Sequence, residues 1–118
     1  MKIYGLGLKG EQAAKRFLKK KGYKILQTNF QCRFGELDII AKDKECLVFC
    51  EVKTRSHGMI ALPQESVTYA KQQKMIKTAR FWLQAHEMDC PMRFDVLAVT
   101  ADEKGKLTVE HLENAFTL

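Results

Sequence analysis

The chain has 118 residues, 46% of them hydrophobic and 29% charged, a size and balance that suit one globular domain with a modest core, and a second domain is not expected. Twenty Lys and Arg against 14 Asp and Glu give a formal charge of +6, which attracts polyanions at low salt. No stretch approaches the twenty or so apolar residues of a membrane span, the start carries no leader-like pattern, and Cys32, Cys46, Cys50 and Cys90 lack Cys-x-x-Cys spacing, so reduced thiols in a cytoplasmic protein are expected.

The first element is an amphipathic helix over residues 5–21, with Leu6, Ala13, Ala14, Phe17 and Leu18 on one side, a lysine-rich end and Gly22 as its stop. At about 100° per residue Glu11 falls on the margin of the apolar stripe, beside Leu18. There it reads equally as an acid at the helix start and as one facing the sheet. Residues 23–30 form a first strand, 37–41 a second and 46–53 a third, followed by a loop over 56–64 containing His57, Gly58 and Pro63. Thr68 caps a second helix running to about residue 87, with Met75, Ile76, Ala79, Trp82, Leu83 and His86 as its buried stripe. Phe81 and Trp82 read as packing residues. A fourth strand over 92–100, a turn over 102–106 and a fifth strand over 107–112 complete the chain. A strand, a long helix and a further strand require a right-handed crossover, which makes strands three and four parallel neighbours within a mixed sheet.

The chemistry concentrates between Gly35 and Arg55. Folding strands two and three about a Lys44–Glu45 tip pairs Asp43 with Cys46, Ala41 with Val48 and Asp38 with Glu51. Alternation places Asp38, Glu51 and Lys53 on one face with Ile40, Leu47 and Phe49, and Leu37, Ile39, Cys46, Val48, Cys50 and Val52 on the other. Both faces are apolar, so the ribbon is central and buried. Opposed carboxylates destabilise such a sheet unless a cation bridges them or one keeps its proton. Two acids beside an ammonium therefore suit a divalent metal next to a phosphodiester. Arg55, Lys71 and Arg33 are candidates for phosphate contacts, Gln72 for orienting water, and Glu36 for a secondary role on the Asp38 side. Asp95 reads as half of a structural pair with an arginine. His57, His86 and His111 are too dispersed for zinc, and only His57 sits near the acids.

Gly10-Glu11-x-x-Ala14, Gly22-Tyr23-x-Ile25-Leu26, Asn29, Gly35-Glu36-x-Asp38-x-Ile40-Ala41, Val48-Phe49-x-Glu51-Val52-Lys53-Thr54-Arg55 and Arg93-Phe94-Asp95-Val96 together resemble the YraN family across nearly the whole chain. These bacterial proteins are regarded as endonuclease-like members of the PD-(D/E)XK superfamily, similar to archaeal Holliday junction resolvases. The resemblance implies an α/β, restriction-endonuclease-like mixed sheet with an αβββαβ core, here extended by a fifth strand. It carries the superfamily's metal-binding acids onto Asp38 and Glu51, its lysine onto Lys53 and the helix acid of the resolvase-like branch onto Glu11. Leu37 stands where the superfamily usually has proline.

The implied activity is Mg- or Mn-dependent endonuclease hydrolysis of structured nucleic acid, DNA above all. Asp38, Glu51 and the Val52 carbonyl would hold the ion, Glu11 would bind through water or a second ion, and Lys53 would orient water or stabilise phosphate charge. Cutting both strands of a junction favours a symmetric homodimer, although no interface stripe is evident. The alternatives are a module on a nuclease fold that binds nucleic acid or a protein without cutting, and a purely structural protein with no such affinity.

Overall fold

Seven elements follow one another in the computed structural model, which describes residues 6–56 and 67–117: α1 (Leu6–Lys20), β1 (Lys24–Cys32), β2 (Gly35–Asp43), β3 (Cys46–Arg55), α2 (Tyr69–Ala85), β4 (Met92–Ala101) and β5 (Leu107–Phe116). The strands lie side by side in chain order. The pairs β1–β2, β2–β3 and β4–β5 are antiparallel, and β3–β4 is parallel across the α2 crossover, as the order of elements demands. Among the described residues no helix is long and apolar enough to cross a membrane. The expected loop over residues 56–64, His57 included, lies outside the described residues from position 57 onward.

The two helices cover opposite faces, and the period-two pattern of the strands divides the core between them. Under α2, Met75, Ile76, Ala79 and Trp82 pack on Leu37, Ile40, Leu47, Phe49, Phe94 and Val96; on the other face Ala13, Ala14 and Leu18 of α1 pack with Ile39, Ala41, Val48, Cys50, Leu97 and Val99. Thr68 caps α2 as expected, its side chain accepting from the Lys71 N–H. Trp82 Nε1 donates to Gln27 Oε1 at 2.9 Å and ties the helix to β1. All four cysteines are free, and burial pushes the Cys50 thiol well above its ordinary value, which leaves it an inert core thiol.

Helix α1 lies close against β3 because Gly10 has no side chain. A Cβ there would overlap Thr54 Oγ1 and stand 2.9 Å from Thr54 Cγ2. Gly10→Ala should gain roughly 0.5–1 kcal/mol of helix propensity but lose about 1–3 kcal/mol to overpacking, so a net loss is expected. Adding Thr54→Ala should recover part of it in thermal melts, since both overlapping atoms disappear.

Four expectations are corrected. The helical stripe ends before His86, which caps α2 on the surface; its ring stacks on Trp82 at 4.0 Å and its Nδ1 lies 2.8 Å from the Trp82 carbonyl oxygen. Phe81 is not a core packing residue but stands 39% exposed beside Phe30 and Phe34. The β1–β2 hairpin is tighter than expected, with Arg33 and Phe34 as its tip and Gly35 at φ 151°, in the region that favours glycine. Finally, Leu37 shares the α2 face with Ile40 rather than the α1 face with Ile39, so alternation breaks at Asp38.

Candidate active site

That break builds the site. The β2–β3 ladder runs from Asp43 opposite Cys46, around the expected Lys44–Glu45 tip, to Ile39 opposite Cys50, and there the two strands part. The expected Asp38–Glu51 ladder pair does not form. Instead Asp38 Oδ2 accepts the Val52 N–H at 2.7 Å, taking the place of the missing strand partner. Val52 thus presents its N–H to the site acid, and its carbonyl, the expected ion ligand, belongs to the same residue of the fork.

Each acid at the fork has its own partners. Glu51 is buried, and its Oε2 meets Lys53 Nζ at 3.3 Å and Lys71 Nζ, from the first turn of α2, at 3.2 Å. Glu11 comes from the α1 side, where Oε1 accepts from Asn29 Nδ2 at 2.9 Å. Asn29 reaches it from a left-handed conformation, φ 53°, which asparagine tolerates better than most residues. Burial first, and then the negative charge of Glu51, push the Asp38 carboxyl up to about 7; the Val52 N–H opposes this, while Glu11 and Glu36 add to it. The charges of three acids, Glu51 foremost, therefore disfavour ionisation of Asp38.

Asp38, Glu51, Lys53 and Lys71 are brought together, and the remaining expectations divide. Glu11 lies near enough to act on Asp38 but is held by Asn29, and Glu36 is exposed, accepting from Gln31 Nε2. Gln72 Nε2, expected to orient water, donates to the Val67 carbonyl just ahead of α2. Arg55 ends β3 two residues beyond Lys53, opposite Thr100. Arg33 sits at the β1–β2 tip over the Phe34 ring, 4.9 Å from its centre, and lines a different groove. Asn29 has no role legible in the sequence, because only its backbone angle and the approach of α1 bring it to Glu11. Lys71, expected at phosphate, rests on Glu51.

A Mg or Mn ion needs hard oxygen donors, and a pair of carboxylates is a donor set of that kind. Among the described residues no three His, Cys, Asp or Glu side chains converge closely enough to hold a metal. The fit is to an ion bound by one or two carboxylates, with waters and substrate oxygens completing its shell, the habit of magnesium.

A second polar cluster occupies the α1 face away from the fork. Asp95 is fully buried and accepts from Arg93 Nε at 3.0 Å, Arg93 Nη2 at 3.1 Å and the Asn114 N–H at 2.9 Å, and its Oδ2 lies 2.7 Å from His111 Nε2. Arg93 also reaches Asp43 and the Tyr23 hydroxyl. The arginine partner expected for Asp95 is thus Arg93, two residues away on the same strand face.

A five-stranded mixed sheet with one helix on each face, and an Asp–Glu–Lys cluster where two strands fork, is an α/β architecture of the restriction-endonuclease-like class. The sequence profile described as "Uncharacterised protein family UPF0102" matches residues 10–99, and the chain belongs to that family, the YraN-like family its motifs resemble. It is similar to UPF0102 proteins of Trichlorobacter lovleyi (46% identity over 92% of this chain and 87% of the relative) and Thermodesulfovibrio yellowstonii (47% over 94% and 95%). A UPF0102 protein of Alkaliphilus oremlandii is 45% identical over 94% of this chain and 97% of its own.

Proposed function

We propose that the chain is a Mg- or Mn-dependent nuclease that hydrolyses phosphodiester bonds of structured nucleic acid, DNA above all, in a cytoplasmic setting where its thiols stay reduced. The observation that carries this is the fork at Asp38, where a half-buried carboxylate on the Val52 N–H lies within electrostatic reach of buried Glu51, whose Oε2 meets two ammonium groups, Lys53 and Lys71. Purely structural salt bridges do not explain why a second acid is kept within reach of the Glu51 charge at the expense of its own ionisation.

Asp38 and Glu51 would hold the ion, with Glu11 acting through water. The ion, when bound, would supply Lewis-acid polarisation of the phosphate and a more acidic water. Lys53 places an ammonium where charge develops on the phosphate, and Lys71 does so from the helix side; both are half-exposed and can reach a ligand. The +6 charge draws the substrate. Two copies about a twofold axis would serve a substrate cut on both strands.

A cleavage panel of branched, flapped, duplex and single-stranded DNA and RNA in Mn2+ tests this. The parent should cut at least one substrate, Glu51→Ala should fall to background, and Lys53→Ala should lose roughly 10²–10³-fold. One observation favours a non-cleaving binding module instead: Glu51 already has two ammonium partners and no third acid joins it among the described residues. An inactive parent that binds equally well in EDTA would establish that reading and end the nuclease one.

A further inference from the structure

Helix α2 contains no acidic residue, and Lys71, Lys74, Lys77 and Arg80 follow one another at three-residue steps along it. Lys71 lies on Glu51; Lys74 Cβ is next to Gly35; Lys77 and Arg80 rim a groove of about 510 Å3 between α2 and the β1–β2 tip. The groove has Phe34 and Phe81 among its lining, Arg33 on its far side and Gln84 at its end. Its described lining includes three cations and no acid. Phe81, 39% exposed, stands 6.4 Å from Phe30 in a stacked arrangement and 6.0 Å from Phe34, so three rings form an aromatic shelf that the described residues leave partly open.

A planar, anionic ligand suits cations around open rings. We propose that this groove stacks an unpaired base of a single-stranded nucleic-acid segment whose phosphates run along the α2 cation line toward the Asp38–Glu51 fork. This rests on the nucleic-acid part of the reading above but not on cleavage. A strand fits better than a free nucleotide because the cations do not stop at the groove. The nine steps from Lys71 to Arg80 rise about 14 Å along the helix while the cation row winds about half-way round it, a path long enough for at least roughly four stacked nucleotides. Aromatic stacking accepts any base, so the expected preference is for unpaired over paired strands rather than for sequence.

The test is anisotropy of a labelled oligothymidylate and of a blunt duplex of the same length, both in EDTA. Phe81→Ala should weaken single-strand binding roughly 5- to 150-fold, the range for loss of one stacked base, and leave duplex binding within about twofold. Arg80→Glu serves as a second variant, and should lower the slope of log K against log salt by about 0.7 for each phosphate no longer neutralised. Single-strand affinity unchanged in both variants would overturn the groove alone. Displacement of the strand from the parent by equimolar thymidine monophosphate would also overturn it, by showing a mononucleotide pocket. A parent that binds neither strand nor duplex would remove the nucleic-acid reading itself, whereas absence of cleavage would leave the groove standing.

Discussion

Replacing Asp38 with asparagine should make the metal-free protein more stable while removing the proposed metal-dependent cleavage. The carboxyl is pushed up to about 7 because burial and the Glu51 charge both oppose its ionisation. At pH 8 the folded chain must nevertheless carry that charge, and asparagine removes the penalty while its amide oxygen can still accept the Val52 N–H. With allowance for partial solvent screening, the gain should be about 1–3 kcal/mol, or roughly 4–12 °C in melting temperature for a chain of this size. The pH dependence has a definite sign. Between pH 4 and 7 the folded state binds the Asp38 proton more readily than the unfolded state does, so this group makes stability fall as pH rises through that window. The parent's melting temperature should therefore rise on going from pH 8 to pH 5, and the variant's should change much less. Mn2+ should stabilise the parent at pH 8 by mass action and leave Asp38→Asn unmoved. Equal melts for the two proteins in EDTA at pH 8, or equal stabilisation by Mn2+, would contradict this account. A site that weakens the fold in its unliganded state is a familiar exchange of stability for function.

Asp95→Ala should have the opposite effect and a larger one. Burial alone would raise the Asp95 carboxyl, but the bonds from His111, Arg93 and the Asn114 N–H outweigh it and hold the carboxyl below its ordinary value. Alanine leaves the Asn114 N–H and part of the Arg93 guanidinium without their acceptor. Removing one member of a buried charged pair costs about 3–5 kcal/mol, which corresponds here to a fall of roughly 12–20 °C in melting temperature. The cluster also shapes the backbone. Phe94 faces Phe116 and Val96 faces Leu112, so β5 bulges opposite Asp95, with Asn114 at φ 54° turned toward its carboxylate. Asp95 contributes stability above the ordinary carboxylate range that is lost as pH falls below it, the reverse of Asp38. The parent should accordingly be most stable in mild acid, near pH 5, and lose stability again below about pH 4. A loss under about 1 kcal/mol in Asp95→Ala, measured by urea unfolding at pH 6, would show that the cluster is not needed to hold the bulge.

Much of this molecule is legible in its residues taken in order. The apolar spacing of Ala13, Ala14 and Leu18, and of Met75, Ile76, Ala79 and Trp82, reports the buried sides of the two helices, because a helical period survives whatever the helix packs on. The strand–helix–strand order makes β3 and β4 parallel, since a long crossover allows little else. Asp38, Glu51 and Lys53 also announce themselves as a group, being close along the chain and costly to bury singly.

Tertiary structure decided how that group is arranged. Period two places Leu37 with Ile39, but the rule holds only while a ladder continues, and β2 leaves β3 once the Asp38 carboxylate takes the Val52 N–H. The same holds for Glu11 on Asn29, Lys71 on Glu51, and Phe81 set beside the β1–β2 tip. These pairs join elements distant in the chain, and their partners are chosen by the docking of α1 and α2 on opposite faces of the sheet. Local periodicity carries which side of an element is apolar; which polar group answers another across the sheet is set only when the layers close.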